Sequence, residues 1–90
     1  MLKTLEELII IIRKRKKFSV KESYTHKLLN NKELSVEKVK EEIAELIDAI
    51  EKNTNKVHET ADVLYHLMVL LEANGIKIEE VMDELKKRQK

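Results

Sequence analysis

Ninety residues suit one domain, and a chain this short buries a smaller share of its surface than a longer one, so self-association is expected. Charged residues make up 39% of the chain and hydrophobic ones 42%, with one Gly, no Pro and no Trp, a balance that favours long helices over strands and turns. The net charge of +1 gives no global pull toward nucleic acid, and the lack of Cys excludes disulfides and thiolate metal sites.

The expected architecture is all-α: a bundle of four to five helices forming one domain over residues 1–90, its core completed by homodimerisation. Thr4 and Glu7 form a capping box, and Leu5, Leu8, Ile9 and Ile12 recur at helical spacing behind it. The first helix then closes on the cations of residues 13–17, which suit a helix C-terminus. The apolar run at residues 8–12 is too short for a transmembrane helix, and Glu6 and Glu7 are wrong flanks for a secretory signal. A cytoplasmic protein with no membrane partner is expected. Ser19 and Glu22 offer a second capping box, opening a short helix or turn through SVKESYTHKLL before the polar bend Asn30-Asn31-Lys32. Ser35 is expected to cap a helix in which Val36, Val39, Ile43, Leu46, Ile47 and Ile50 form one stripe, ending at Asn53-Thr54-Asn55. The next helix starts near Lys56 and stops at Gly75, where a left-handed residue costs least. A last helix, from about residue 78 to residue 88, carries Val81, Met82 and Leu85 on one side.

The stretch ETADVLYHLMVLLEANG, residues 59–75, is apolar almost all the way round, yet carries Glu59, Asp62 and His66. At about 100° per residue, with Glu59 at zero, Asp62 falls near 300° and His66 near 340°, a single narrow polar strip. Ala61, Leu64, Leu67, Met68 and Leu71 cover the arc from about 80° to about 200°. A solvated face would be broader and mixed with Lys or Arg, so the strip faces something enclosed. Carboxylates there are costly unless paired, protonated or bound to metal. On the preceding helix Glu42 and Glu45 lie one turn apart with Glu41 beside them, off the centre of the apolar stripe. Antiparallel packing across the short Asn53-Thr54-Asn55 bend brings Glu42, Glu45, Glu59 and Asp62 toward one point. Four hard oxygen donors without sulfur describe a Mg²⁺ or Mn²⁺ site completed by water and substrate phosphate.

Glu-x-x-Glu at 42 and 45 followed by Glu-x-x-Asp at 59 and 62 resembles the signature of the all-α nucleoside triphosphate pyrophosphohydrolase (MazG-like) superfamily. Within it, SYTHKLL at 23–29, KVKEEIAE at 38–45, ETADVLYHLMVLL at 59–71 and the ending GIKIEEVMDELKKR resemble the phosphoribosyl-ATP pyrophosphohydrolase family of histidine biosynthesis. The likeness covers nearly the whole chain. It departs from the usual pattern in Lys40 where a Gly commonly precedes the paired Glu, in Ile43 where a small Ala is common, and in a slightly shortened connection at residues 30–36. The resemblance implies Mg²⁺-dependent hydrolysis of phosphoribosyl-ATP to phosphoribosyl-AMP and pyrophosphate, with Mg²⁺ on Glu42, Glu45, Glu59 and Asp62. It makes Glu41 a candidate base or ligand-orienting group, Lys27 and Lys38 candidate phosphate contacts, and Ser23, Tyr24 and Thr25 candidate hydrogen-bonding groups of the nucleotide site.

The same residues have plainer readings. Lys27 and Lys38 are single cations in a Lys-rich chain, and Ser23 and Thr25 favour caps and turns on their own account. His66 reads as a satisfied core histidine, hydrogen-bonded to a carboxylate, rather than a ligand. His58-Glu59 fails the zinc motif because position 62 is Asp. The basic run at residues 13–17 reads as solvent-exposed and matched to the helix dipole, and Leu67, Met68, Leu70 and Leu71 as core or subunit interface. Two rivals remain: a house-cleaning pyrophosphatase of ordinary or damaged nucleoside triphosphates, and a non-enzymatic helical module that dimerises and binds nucleic acid through residues 13–17 without metal.

Overall fold

The computed structural model describes residues 2–17 and 23–89. Five helices and no strand occur among them: α1 (Lys3–Lys17), α2 (Tyr24–Leu29), α3 (Lys32–Lys52), α4 (Lys56–Ala73) and α5 (Ile78–Arg88). The all-α expectation holds. The starts of α1 and α3 differ from those expected.

Thr4 lies inside α1, one residue past its start, so the capping box with Glu7 does not set that boundary. The box of Ser19 and Glu22 lies outside the described residues. Ser23 caps α2, its side chain accepting from the backbone N–H of His26 at 3.3 Å. Helix α3 begins three residues before Ser35, capped by Asn31, whose side chain accepts from Leu34 N–H at 3.1 Å. Ser35 is instead buried within the helix, where its hydroxyl donates to the Leu28 carbonyl at 2.7 Å and ties α3 to α2. Asn and Ser serve equally well as caps, so sequence pattern alone does not choose between them. The bend after α3 turns through left-handed Asn53 and Asn55, residues that tolerate that conformation. Gly75 follows α4 at φ 69°, as its position predicted.

The main core forms where α1 and α2 cover the C-terminal half of α4. Ile12, Leu28, Leu29, Met68, Val69 and Ala73 are its buried members, with Leu5, Leu8, Ile9, Leu71 and Ile78 packed around them. The α3–α4 pair has a different seam from the expected one. On α3 the buried and half-buried line is Ser35, Val39, Glu42, Leu46 and Ala49; on α4 it includes Glu59, Asp62, His66, Val69 and Ala73. Both step alternately by three and four residues, the spacing of a heptad seam. The expected stripe is therefore displaced by part of a turn. Val39 is buried, but Val36, Ile43, Ile47 and Ile50 are exposed, as are Ala61, Leu64 and Val57 on α4.

The basic end of α1 is not simply solvated. Arg13 grips Glu79 through two hydrogen bonds of 3.0 and 2.5 Å and approaches Glu72 at 3.7 Å. Lys16 donates to the Glu72 backbone carbonyl at 2.8 Å. These contacts pin the end of α4 and the start of α5 to α1. Among the described residues, no helix is long and apolar enough to cross a membrane.

Candidate active site

Seam positions normally take apolar or small residues, as both ends of the α3 line and the C-terminal end of the α4 line do. Its middle carries Glu42 against Glu59, Asp62 and His66. Glu42 lies within electrostatic reach of His66 and Asp62, and Glu45 of Glu59. Residues later on α3 thus meet residues earlier on α4, as antiparallel packing requires. Two sets of three donors are close enough to share one ion, each with its ligand atoms within 4.8 Å of one another: Glu42, Glu45 and Glu59, and His58, Glu59 and Asp62. Glu59 belongs to both. Three of the four expected carboxylates therefore converge directly, and Asp62 joins through Glu59.

The electrostatics of this cluster are unfavourable as it stands. Burial, then repulsion by Glu45, raises the Glu42 carboxyl above its usual range, with Asp62 adding to the effect and His66 opposing it. Burial, then Glu45 and Asp62, raises Glu59 in the same direction. Both side chains are part exposed as wholes, yet the Oε2 atom of each is shut from solvent and has no hydrogen-bond partner. Native proteins seldom leave such an oxygen unserved, because desolvation is then uncompensated. His58, which sequence spacing dismissed along with the zinc motif, lies 3.4 Å from the Asp62 carboxylate but is itself largely exposed.

Beside the carboxylates sits a polar-aromatic group that periodicity does not reveal. His66 is buried; one ring nitrogen, Nδ1, contacts the Asp62 backbone carbonyl at 2.8 Å and the other, Nε2, the Tyr24 hydroxyl at 3.0 Å. It is the satisfied core histidine expected, although its Asp62 partner is the backbone and not the carboxylate. Tyr24 stacks on Tyr65 with centroids 6.3 Å apart, and Tyr65 meets the His66 ring edge-on at 5.0 Å. The Thr25 and Tyr65 hydroxyls are hydrogen-bonded to each other. Tyr65, part of the Asp-x-x-Tyr-His pattern at 62–66 within the stretch that carries the resemblance, was given no role by the sequence. Burial raises the Tyr24 phenol while Lys38 opposes that shift, so it stays protonated near neutrality.

The remaining candidates fall at the rim. Lys38 and Glu41 pair at 3.4 Å, one turn apart on α3. Lys38 stands close enough to Tyr24 for each to influence the other's titration. Lys27 is exposed on α2. Ser23 is occupied as the α2 cap, the plainer of its two readings.

The model of the phosphoribosyl-ATP pyrophosphohydrolase family matches residues 5–89 of this chain. The chain belongs to that family. It is 44% identical over 89 residues to the phosphoribosyl-ATP pyrophosphatase of Metallosphaera sedula, covering 96% of both chains. The phosphoribosyl-ATP pyrophosphatase of Allorhizobium ampelinum is 42% identical over 88 residues, covering 94% of this chain and 85% of that one. The histidine biosynthesis bifunctional protein HisIE of Pyrococcus furiosus is 46% identical over 90 residues, and there this chain spans only 43% of the relative's length. By its name, the family's reaction is hydrolysis of a pyrophosphate bond. It also agrees with the geometry: a phosphoribosyl-ATP pyrophosphohydrolase must manage a polyanion, and an acidic cluster does so only together with counter-charge.

Proposed function

We propose that this chain hydrolyses phosphoribosyl-ATP to phosphoribosyl-AMP and pyrophosphate, cleaving between the α and β phosphates, with a divalent cation held by Glu42, Glu45, Glu59 and Asp62. The observation that carries the metal is the pair of solvent-shut, partnerless oxygens on Glu42 and Glu59 within one carboxylate cluster. An all-oxygen donor set favours Mg²⁺, with Mn²⁺ the natural substitute. When bound, the ion supplies neutralisation of phosphate charge and activation of water.

The chain's own groups do the rest. The acidic seam fixes where negative charge is tolerated, and the rigid pairing of α3 with α4 holds its carboxylates in register. Glu41 projects at the rim, paired with Lys38, from where it can take a proton from an attacking water while Lys38 turns to a phosphate. Lys27 on exposed α2 is a second phosphate contact. Tyr24 and Thr25, tied to His66 and Tyr65, present hydroxyl groups to the nucleotide. The reading extends to a cytoplasmic homodimer. Support for the second copy comes from Ile43, Ile47 and Ile50 on α3 and Val57 on α4, all exposed on this single chain, an amount of bare apolar surface that usually marks an interface.

The deciding experiment is incubation of the purified chain with phosphoribosyl-ATP and Mg²⁺, following pyrophosphate release. Efficient release from phosphoribosyl-ATP, with far weaker turnover of ATP and deoxynucleoside triphosphates, supports the reading. Preference for a deoxynucleoside triphosphate replaces it with a house-cleaning activity.

A further inference from the structure

One end of the Tyr24–His66–Asp62 chain of hydrogen bonds has its direction set by a backbone carbonyl. A backbone carbonyl only accepts, so the 2.8 Å contact from His66 to the Asp62 carbonyl places a proton on Nδ1. In the neutral ring Nε2 then carries a lone pair, and the Tyr24 hydroxyl, 3.0 Å away, must donate to it. That commits the phenol's only proton to the protein interior. What remains on the Tyr24 oxygen is acceptor capacity, on a side chain that is 46% exposed and within electrostatic reach of Lys38, Glu42 and Glu41.

The supports are more elaborate than packing alone needs. The Tyr24 ring stacks on Tyr65, Tyr65 is tied by its hydroxyl to Thr25, and His66 bridges the six-residue α2 to α4 beside the carboxylates. Each link limits rotation of one ring.

We infer that His66 is a positioning residue that presents Tyr24 as a hydrogen-bond acceptor, so that the site selects a ligand carrying a hydroxyl or amino hydrogen at this point and disfavours a phosphate oxygen there. This rests on the phosphoribosyl-ATP reading and deepens it, because that substrate offers sugar hydroxyls as well as phosphates. Phosphates are thereby left to Lys38 and Lys27 and to an ion the carboxylates would hold, and a sugar or base edge to Tyr24.

Four variants separate this role from a packing role. Tyr24→Phe removes the acceptor. His66→Asn keeps a donor near the Nδ1 position for the Asp62 carbonyl but removes the acceptor for Tyr24. His66→Gln does the reverse, placing a carbonyl near the Nε2 position. Thr25→Val loosens Tyr65 without touching Tyr24's hydroxyl. For one uncharged hydrogen bond, KM for phosphoribosyl-ATP should rise about three- to tenfold in Tyr24→Phe and His66→Asn and stay near wild type in His66→Gln, with kcat changed less than KM. Thr25→Val should fall between. Calorimetric binding of Mg²⁺ alone should be unaltered in all four. A long-range ¹⁵N–¹H spectrum of the His66 ring should show Nδ1 protonated and Nε2 bare.

The opposite tautomer overturns the inference whatever the substrate. An unchanged KM in Tyr24→Phe, in a chain that does hydrolyse phosphoribosyl-ATP, overturns it too, and this variant keeps the test open where a His66 variant fails to fold. Loss of Mg²⁺ binding in Tyr24→Phe would place Tyr24 in the metal site instead. A wild-type chain that releases no pyrophosphate from phosphoribosyl-ATP sinks the functional reading, and this contact falls with it.

Discussion

Replacing Glu42 with Gln should make the metal-free protein more stable while abolishing its activity. The carboxyl sits in the α3–α4 seam with its pKa raised, chiefly by burial and then by Glu45. A raised carboxyl binds its proton more tightly in the folded state than in the unfolded one. Its stabilising contribution is complete below the ordinary value of 4.5 and disappears as pH rises through the folded value. At pH 7 without metal the ionised group therefore opposes folding. The Glu42 and Glu45 oxygens lie within 4.8 Å, where two unit charges repel by about 0.9 kcal/mol at the dielectric constant of water and about 3.5 kcal/mol at an effective value of 20. Because Glu45 is exposed, the lower figure governs. Glu42→Gln should thus gain about 1 kcal/mol, or ~4–8 °C in Tm for a domain of this size.

Mg²⁺ should reverse the order. An ion at tenfold its Kd stabilises the folded wild type by about 1.4 kcal/mol, and a variant lacking one ligand gains much less. Thermal melts in EDTA and in Mg²⁺, run on wild type, Glu42→Gln and the control Glu37→Gln, make the comparison. Glu37 is exposed on the same helix and paired with Lys40, so its replacement should change neither curve. A lower Tm for Glu42→Gln in EDTA, or equal Mg²⁺ stabilisation of both proteins, would refute the reasoning.

Four other outcomes follow from the structure. Arg13 holds the Glu79 carboxyl down to about 2 from 4.5; this stabilisation is present above 4.5 and fades as pH falls through about 2, so acid melts of Arg13→Ala should depend less steeply on pH across that window than those of wild type. Leu28 is wholly buried between α1, α2 and α4, and Leu28→Ala should cost about 2–5 kcal/mol in urea unfolding. Ser35→Ala removes the buried link to the Leu28 carbonyl and should cost about 1 kcal/mol, since that carbonyl keeps the Asn31 N–H at 3.2 Å. Light scattering at micromolar concentration should find a dimer, and Ile47→Glu, at a site 52% exposed in the single chain, should shift it to monomer; a monomeric wild type ends the dimer proposal.

The helices and the carboxylate set were legible because each depends on short-range pattern: Glu42 and Glu45 share a face by being three apart, and so do Glu59 and Asp62. The phase of α3 was not legible. Hydrophobicity points to Val36, Ile43, Ile47 and Ile50 as the inner stripe, and it is these that the single chain leaves exposed. The true inner line contains Glu42 and two small residues, Ser35 and Ala49, which score poorly as core but allow close approach of α4. The tie from Tyr24 to His66 joins residues 42 positions apart through a hydroxyl and a ring nitrogen, and no periodicity registers such a pair. Asn31 and Ser35 show the same limit at a helix start, where two good caps lay four residues apart and tertiary packing assigned one to the cap and the other to the core.

The seam also explains how a small domain can keep charged groups inside. Its two ends are held without them. Near the Asn53 bend Ala49 is buried, with Thr54 N–H bonded to the Ala49 carbonyl at 2.9 Å. At the far end Val39 and Ser35 are buried on α3, and Val69 and Ala73 on α4 belong to the main core. Glu42, Glu59 and Asp62 lie between these fixed points, so their mutual repulsion presses on a stretch of helix pair that is held on both sides. Spreading apart would require breaking one of the ends, whereas a bound cation needs only the small adjustment of flexible Glu side chains. The modest repulsion within the cluster is thereby retained in the folded pair, where positive charge would relieve it. On the proposed reading, the Glu42 and Glu59 oxygens left without partners are where a fold with a formal charge of only +1 would take up a cation.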